Sequence, residues 1–441
     1  MTMTNVFARM PLLALSVALA VTLAGCIRTP PVADQRGAYH ASGAQTATLP
    51  FVFDDNRMFL DIAFVTPEGA ERKARAFVNM GAGAFVVSNK LYRDLGIGDG
   101  RRLRMRLGCM SIEAEPRAVQ PEEIANSFAI ALNPFGHGPD PKEASKQPGG
   151  SMAALAAPMV VEAEIPPGLL ASFTVALDYG ARTLTLAAPG TLAPQGTEVP
   201  MAVDAASGFA TVELRAGGER HAMVIDNGGS YGALKGGVVS DWIAAHPGWL
   251  RSEGGVGESN LVMGGTFDVG VPVVKAPRAA IGALALDEFG ALAPGGGGML
   301  GRLIARSFWN YYSEKAGEDV DGWIGGNVLK SFRVTLDYKS GKSWWLQQAP
   351  LDTHDLDQVG LTLVRVGGHT GVAGIARKNG ADTVAGVQVG DEILAIDGKP
   401  TAPMTRGELL NALHGVPGER RTLTLKREGK MLTVETKVTG F

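Results

Sequence analysis

The chain has 441 residues, of which 45% are hydrophobic and 19% charged, and its formal net charge is −3. This is globular composition, and a near-neutral balance with no basic run interleaved with aromatics leaves nucleic-acid binding without support. The two cysteines, Cys26 and Cys109, make no CxxC pair and the 7 histidines fall in no HExxH spacing, so neither a metal nor another cofactor is expected. At roughly 100–200 residues per domain, two to four domains are expected.

Arg9 is the only charge in the first 25 residues. The apolar run Pro11 to Thr22 falls short of the ~20 residues a membrane span needs, but suits the core of a signal peptide. It ends in Leu23-Ala24-Gly25-Cys26, which resembles a lipobox. The resemblance implies removal of residues 1–25, lipid on Cys26 and a flexible tether over residues 26–49. Ile27, rather than an acidic residue, follows the cysteine. By analogy with Gram-negative sorting, this favours the cell envelope, at the outer membrane facing the periplasm. Cys109 then has no disulfide partner and reads as a buried small hydrophobe. The cluster Arg101 to Arg106 reads as a solvated turn followed by a strand face.

Three segments recur in the same order. Arg75 to Gly83 matches Ala222 to Ser230, setting Asn79 against Asp226. Val86 to Leu91 matches Val238 to Ile243, and Ser172 to Tyr179 matches Ser331 to Tyr338. Slightly drifting spacings mean loop insertions between two copies of one fold. Each copy reads as short strands, with a Gly-containing loop and a short helix opened by Ser88 or Ser240 as N-cap. Pro134 to Pro158 and Gly295 to Gly298 read as loose loops.

Strand, then Asp226-x-Gly228-x-Ser230, then a short helix resembles the active-site loop of retropepsin-like aspartic peptidases. Gly322-Trp323-Ile324-Gly325-Gly326 is similar to that family's apolar-apolar-Gly motif, whereas Ile165-Pro166-Pro167-Gly168 holds its place in the first copy. The resemblance implies two aspartates, one per lobe, sharing a proton. The second copy supplies Asp226, Gly228 and Ser230; the first supplies Asn79, a degenerate partner. Met80 and Asn227 stand where the family has an interlocking threonine. On this reading, Asn79→Asp with Met80→Thr should raise hydrolysis. Gly254 to Gly265 is the candidate flap.

Beyond residue 355, Ala385 to Pro400 resembles a bacterial PDZ domain in its Ala-Gly-x-x-x-Gly-Asp-x-Ile-x-x-Ile-Asp-Gly pattern. Thr405 to His414 is the expected groove helix. The resemblance implies that an extended C-terminus adds as a strand, with Val359 and the peptide-binding residues Gly360, Leu361, Thr362 and Leu363 at the carboxylate end.

The expected fold is mainly β. Two tandem retropepsin-like acid-protease β-barrel lobes, residues 50–190 and 191–350, precede a PDZ domain at residues 355–441. The expected function is peptide or protein binding through cleft and PDZ groove, on a membrane through Cys26. An active aspartic endopeptidase using Asp226, and a non-enzymatic PDZ adaptor, stay open as alternatives.

Overall fold

The computed structural model describes residues 38–41, 46–66, 68–96, 102–119, 159–254, 271–294, 298–366 and 369–441. Cys26 and its lipobox, Pro134 to Pro158 and residues 255–265 of the expected flap lie outside them.

The described residues form a 14-stranded, a 12-stranded and a 6-stranded sheet. Local pattern explains many of the strands. Thr46–Asp54 alternates, burying Ala47, Leu49 and Phe51 on one face. It turns back into Arg57–Val65 through Asp55 and Asn56, both at positive φ (52° and 56°). Asp and Asn tolerate that left-handed geometry, which a two-residue hairpin turn requires. Leu103–Leu107 alternates as its sequence suggests, with Arg104 paired to Glu113 and Arg106 to Glu71.

The two halves repeat one pairing scheme. Glu71–Val78 runs parallel to Ala163–Ile165, which runs antiparallel to Val86–Ser88. Likewise Glu219–Ile225 runs parallel to Gly322–Ile324, which runs antiparallel to Gly232–Leu234. Short helices Pro167–Leu170 and Gly326–Leu329 follow the central strands.

The expected β-barrel lobes are not what forms, because among the described residues no sheet closes on itself. The 14-stranded sheet runs from Thr197–Pro200 to Arg117–Val119, and the 12-stranded sheet from Leu284–Leu286 to Ala381–Asp382. The reason lies in the last hairpin of each half. Phe332–Asp337 pairs with Thr174–Asp178 of the first half, burying Val334 and Leu336 beside Val175 and Leu177. One hydrophobic cluster therefore extends from Ala47 to Trp345 across both halves. The pairing is centred on Ala176 opposite Thr335, equivalent positions of the two copies, so a local two-fold relates them.

Four further expectations need correction. Ala38–Ala41 already pairs with Met110–Ala114, and the strand Thr46–Asp54 starts within the expected tether. Ser88 caps the helix Asn89–Asp94, accepting from Leu91 N at 3.0 Å, but Ser240 lies inside the helix Gly236–Ala245. There its hydroxyl donates to Gly236 O at 2.8 Å, because the helix begins a turn earlier, at Lys235. Cys109 is exposed at a hairpin turn, its thiol 3.3 Å from Thr46 O, rather than buried. Finally, the helix Gly298–Ala316 stands directly after a stretch read only as loop.

Candidate functional site

Asn79 and Asp226 occupy equivalent places at the two-fold. Asn79 N donates to Ile165 O and Asp226 N to Ile324 O, each at 3.0 Å. Asn79 Oδ1 accepts from Gly81 N at 2.9 Å, and Asp226 Oδ1 from Gly228 N at 2.8 Å. The loops meet reciprocally. A Cβ on Gly81 would fall 2.2 Å from Asp226 Oδ2, and one on Gly228 would fall 1.9 Å from Asn79 Oδ1. Only glycine permits that approach. Asn227 takes up half of the interlock: its Oδ1 accepts from Met80 N at 2.9 Å across the two-fold. Ser230 turns away from Asp226, and its hydroxyl donates to Asp55 Oδ2 at 2.8 Å.

Two residues that the sequence reading passed over complete the centre. Asn79 Nδ2 donates to Glu164 Oε1 at 2.6 Å, and Glu164 is 1% exposed. Glu164 stands opposite Phe77 in the parallel pair, where Trp323 stands opposite Val224 in the second half. Its signal in sequence is a charge inside the buried strand Ala163–Ile165. Tyr312 is the other. Its hydroxyl donates to Asp226 Oδ2 at 2.9 Å, and its ring stacks on Trp323 at 5.4 Å. It arrives on the helix Gly298–Ala316, whose buried Phe308, Trp309, Tyr312 and Ala316 pack around Phe209 and Trp323. That spacing of three and four residues was legible as a helix face.

Asp226 is consequently fully buried. Burial raises its pKa, against the hydrogen bonds from Tyr312 and from the backbone of Gly228, Gly229 and Gly81. Burial and the neighbouring Asp226 charge likewise hold Tyr312 well above the ordinary tyrosine value, so it remains a donor. Such a centre can hold two half-molecules together. The residue equivalent to Asp226 in the first half is an amide, oriented by a second buried carboxylate, Glu164. No cluster of three His, Cys, Asp or Glu able to hold a metal occurs among the described residues.

The other predicted site lies in the six-stranded sheet. Gly360, Leu361, Thr362 and Leu363 are all buried at the start of Leu361–Val366, which among the described residues is an edge strand paired only with His369–Ile375. Gly360 sits at φ 91°, its carbonyl accepting from Ala376 N at 2.8 Å. Val359 N donates to Leu413 O at 3.1 Å. That bond fixes the strand beside the C-terminal end of the helix Arg406–Leu413. The helix opens in a capping box, Thr405 with Glu408.

Residues 378–427 match the PDZ domain family. The PDZ domain is docked on the rest of the chain in two further ways. Arg377–Lys378 extends the 12-stranded sheet through Glu253, and Phe441 is buried against Tyr231, Val273 and Leu292. No curated protein matches the chain. Among solved structures, a photosystem II D1 C-terminal processing protease is 21% identical over 19% of this chain, which covers 23% of that protein, at a TM-score of 0.18. The aspartic proteinase of Irpex lacteus is 10% identical over 70% of this chain and 100% of its own, at 0.34. Basic 7S globulin from soybean is 10% identical over 70% of this chain and 95% of its own, at 0.35. Likeness this distant assigns neither a fold nor an activity.

Proposed function

We propose that this chain is a peptide-recognising protein that does not hydrolyse its ligand. The PDZ domain takes an extended peptide along the edge strand Leu361–Val366, whose outer side pairs with no strand among the described residues. The Asn79–Asp226 centre joins the two halves that carry the domain. The observation behind this reading is the closure of Asp226: Tyr312 occupies one carboxylate oxygen, and Asn79 presents an amide tied to Glu164. A shared-proton mechanism needs a carboxylate paired directly with Asp226, and the side chain at the equivalent position of the first half is the Asn79 amide. As read from its lipobox, the protein works in the envelope, held to a membrane by lipid on Cys26.

The test uses the full chain against a diverse peptide mixture from about pH 3 to 7, where a shared-proton pair would work. An array of C-terminal peptides runs beside it. Binding of free-carboxylate peptides but not their amidated forms, with no cleavage, is the expected result. Cleavage that Asp226→Ala abolishes would replace this reading by that of an active peptidase. An array with no bound peptide would reduce the PDZ domain to a scaffold. Loss of fatty-acid labelling in Cys26→Ser checks the anchor; label retained by that variant would reject it.

A further inference from the structure

The turn Asp54-Asp55-Asn56-Arg57 of the first half reaches both the PDZ helix and the Asp226 loop. On the PDZ side, Thr405 Oγ1 donates to Asp54 Oδ1 at 2.5 Å and Gly407 N donates to Asp54 Oδ2 at 3.1 Å. Arg406 Nε lies 2.6 Å from Asp55 Oδ2. On the other side, that same Asp55 oxygen accepts from Ser230 Oγ at 2.8 Å, four residues beyond Asp226. The tip is wedged in place: a Cβ on Gly326 would fall 1.9 Å from Asn56 O, and one on Gly407 would fall 2.5 Å from Asp55 N.

We propose that Asp55 is a latch that couples the PDZ helix to the Asp226 loop, so that a peptide displacing the helix loosens Ser230. One carboxylate oxygen serves Arg57, Arg406 and Ser230, and its side chain is 1% exposed. Neither end can move without changing what the other holds. The latch is also incompletely satisfied. Among the described residues, Asp55 Oδ1, Arg57 Nε, Arg406 Nε and Arg406 Nη2 are buried without a hydrogen-bond partner, so Arg406 meets Asp55 as an ion pair only. Buried polar groups left unpaired weaken a contact relative to a fully bonded network, which makes this one releasable. Coupling of this kind is reciprocal. The role of the peptide rests on the PDZ reading above, but the coupling itself does not.

Hydrogen exchange of the full chain, without ligand, separates the two. Arg406→Gln should speed amide exchange several-fold in the helix Arg406–Leu413 and equally in residues Gly228 to Leu234. Ser230→Ala, altered at the far end, should speed exchange in the helix. Glu408→Ala breaks the capping box without touching Asp55 and should loosen the helix alone. Exchange at Val175 and Leu336 monitors global opening. The proposal is overturned if Arg406→Gln leaves Gly228 to Leu234 at the wild-type rate, or if Glu408→Ala loosens that loop as much. Should Arg406→Gln fail to fold, an unchanged helix in Ser230→Ala overturns it equally.

Discussion

Asn79 donates its amide hydrogen to Glu164 across 2.6 Å inside the protein, and this fixes which way the amide faces. The amide oxygen is left to Gly81 N and to the loop of Asp226. A carboxylate at position 79 would meet the Glu164 carboxylate with no amide donor between them. Asn79→Asp is therefore expected to destabilise the protein by about 3 kcal/mol rather than restore hydrolysis, since it sets unpaired charges together in the interior. Glu164→Gln in the same chain should recover most of that loss. Urea midpoints of the two single variants and the double variant decide it; additive losses would show that the residues do not act as a pair.

The Tyr312 hydroxyl bonds a buried carboxylate, an interaction of about 1.5–3 kcal/mol. Tyr312→Phe keeps the ring on Trp323 and should lower stability by that amount at neutral pH. The loss should shrink in acid, where Asp226 takes a proton and needs the donor less. A loss that is constant across pH would mean that the ring alone matters.

The reciprocal glycines admit a sharper comparison. Gly81→Ala and Gly228→Ala each drive a methyl into the opposite loop at 2.2 and 1.9 Å. Each should cost well over 2 kcal/mol, as overpacked core sites do. Gly237 meets nothing within 4 Å and lies in the helix Gly236–Ala245. Gly237→Ala should instead add about 0.5–1 kcal/mol. Thermal melting of the three variants would contradict this account if all fell together.

Asp355 lies buried at the junction with the PDZ domain, and burial pushes its pKa up to about 6, against Lys330, Asn327 and Lys275. A carboxyl whose folded pKa exceeds its unfolded value contributes stability in its protonated form. That contribution is complete below the unfolded pKa near 3.8 and is lost as pH rises through about 6. Asp355→Asn, which carries no charge at any pH, should therefore gain stability over the native chain at pH about 7.5. The gain should vanish near pH 4. Denaturation midpoints at the two pH values check it; a gain of equal size at both would remove Asp355 as the titrating group.

Period and turn chemistry in the sequence were enough to place many elements. The alternation of Leu103 to Leu107, the Ser88 cap, the capping box of Thr405 and Glu408 and the PDZ glycines are local features whose physics acts within a few residues. The internal repeat was equally legible, and it alone sets Asn79 against Asp226. Helix-period aromatics between Ala305 and Ala316 were present as well, directly after the glycine run that was read as loop, and were passed over.

By itself, then, the sequence determined the strand-rich character of the chain, its two copies and the residues at their loops. Only the tertiary structure decided what those residues face. Barrel closure failed because Thr174–Asp178 found Phe332–Asp337 as its neighbour, a choice made by apolar faces far apart in the chain. Ser230 went to Asp55, Tyr312 to Asp226 and Asn79 to Glu164 for the same reason. A buried polar group must find a partner, and which one it finds depends on what long-range packing brings within about 3 Å.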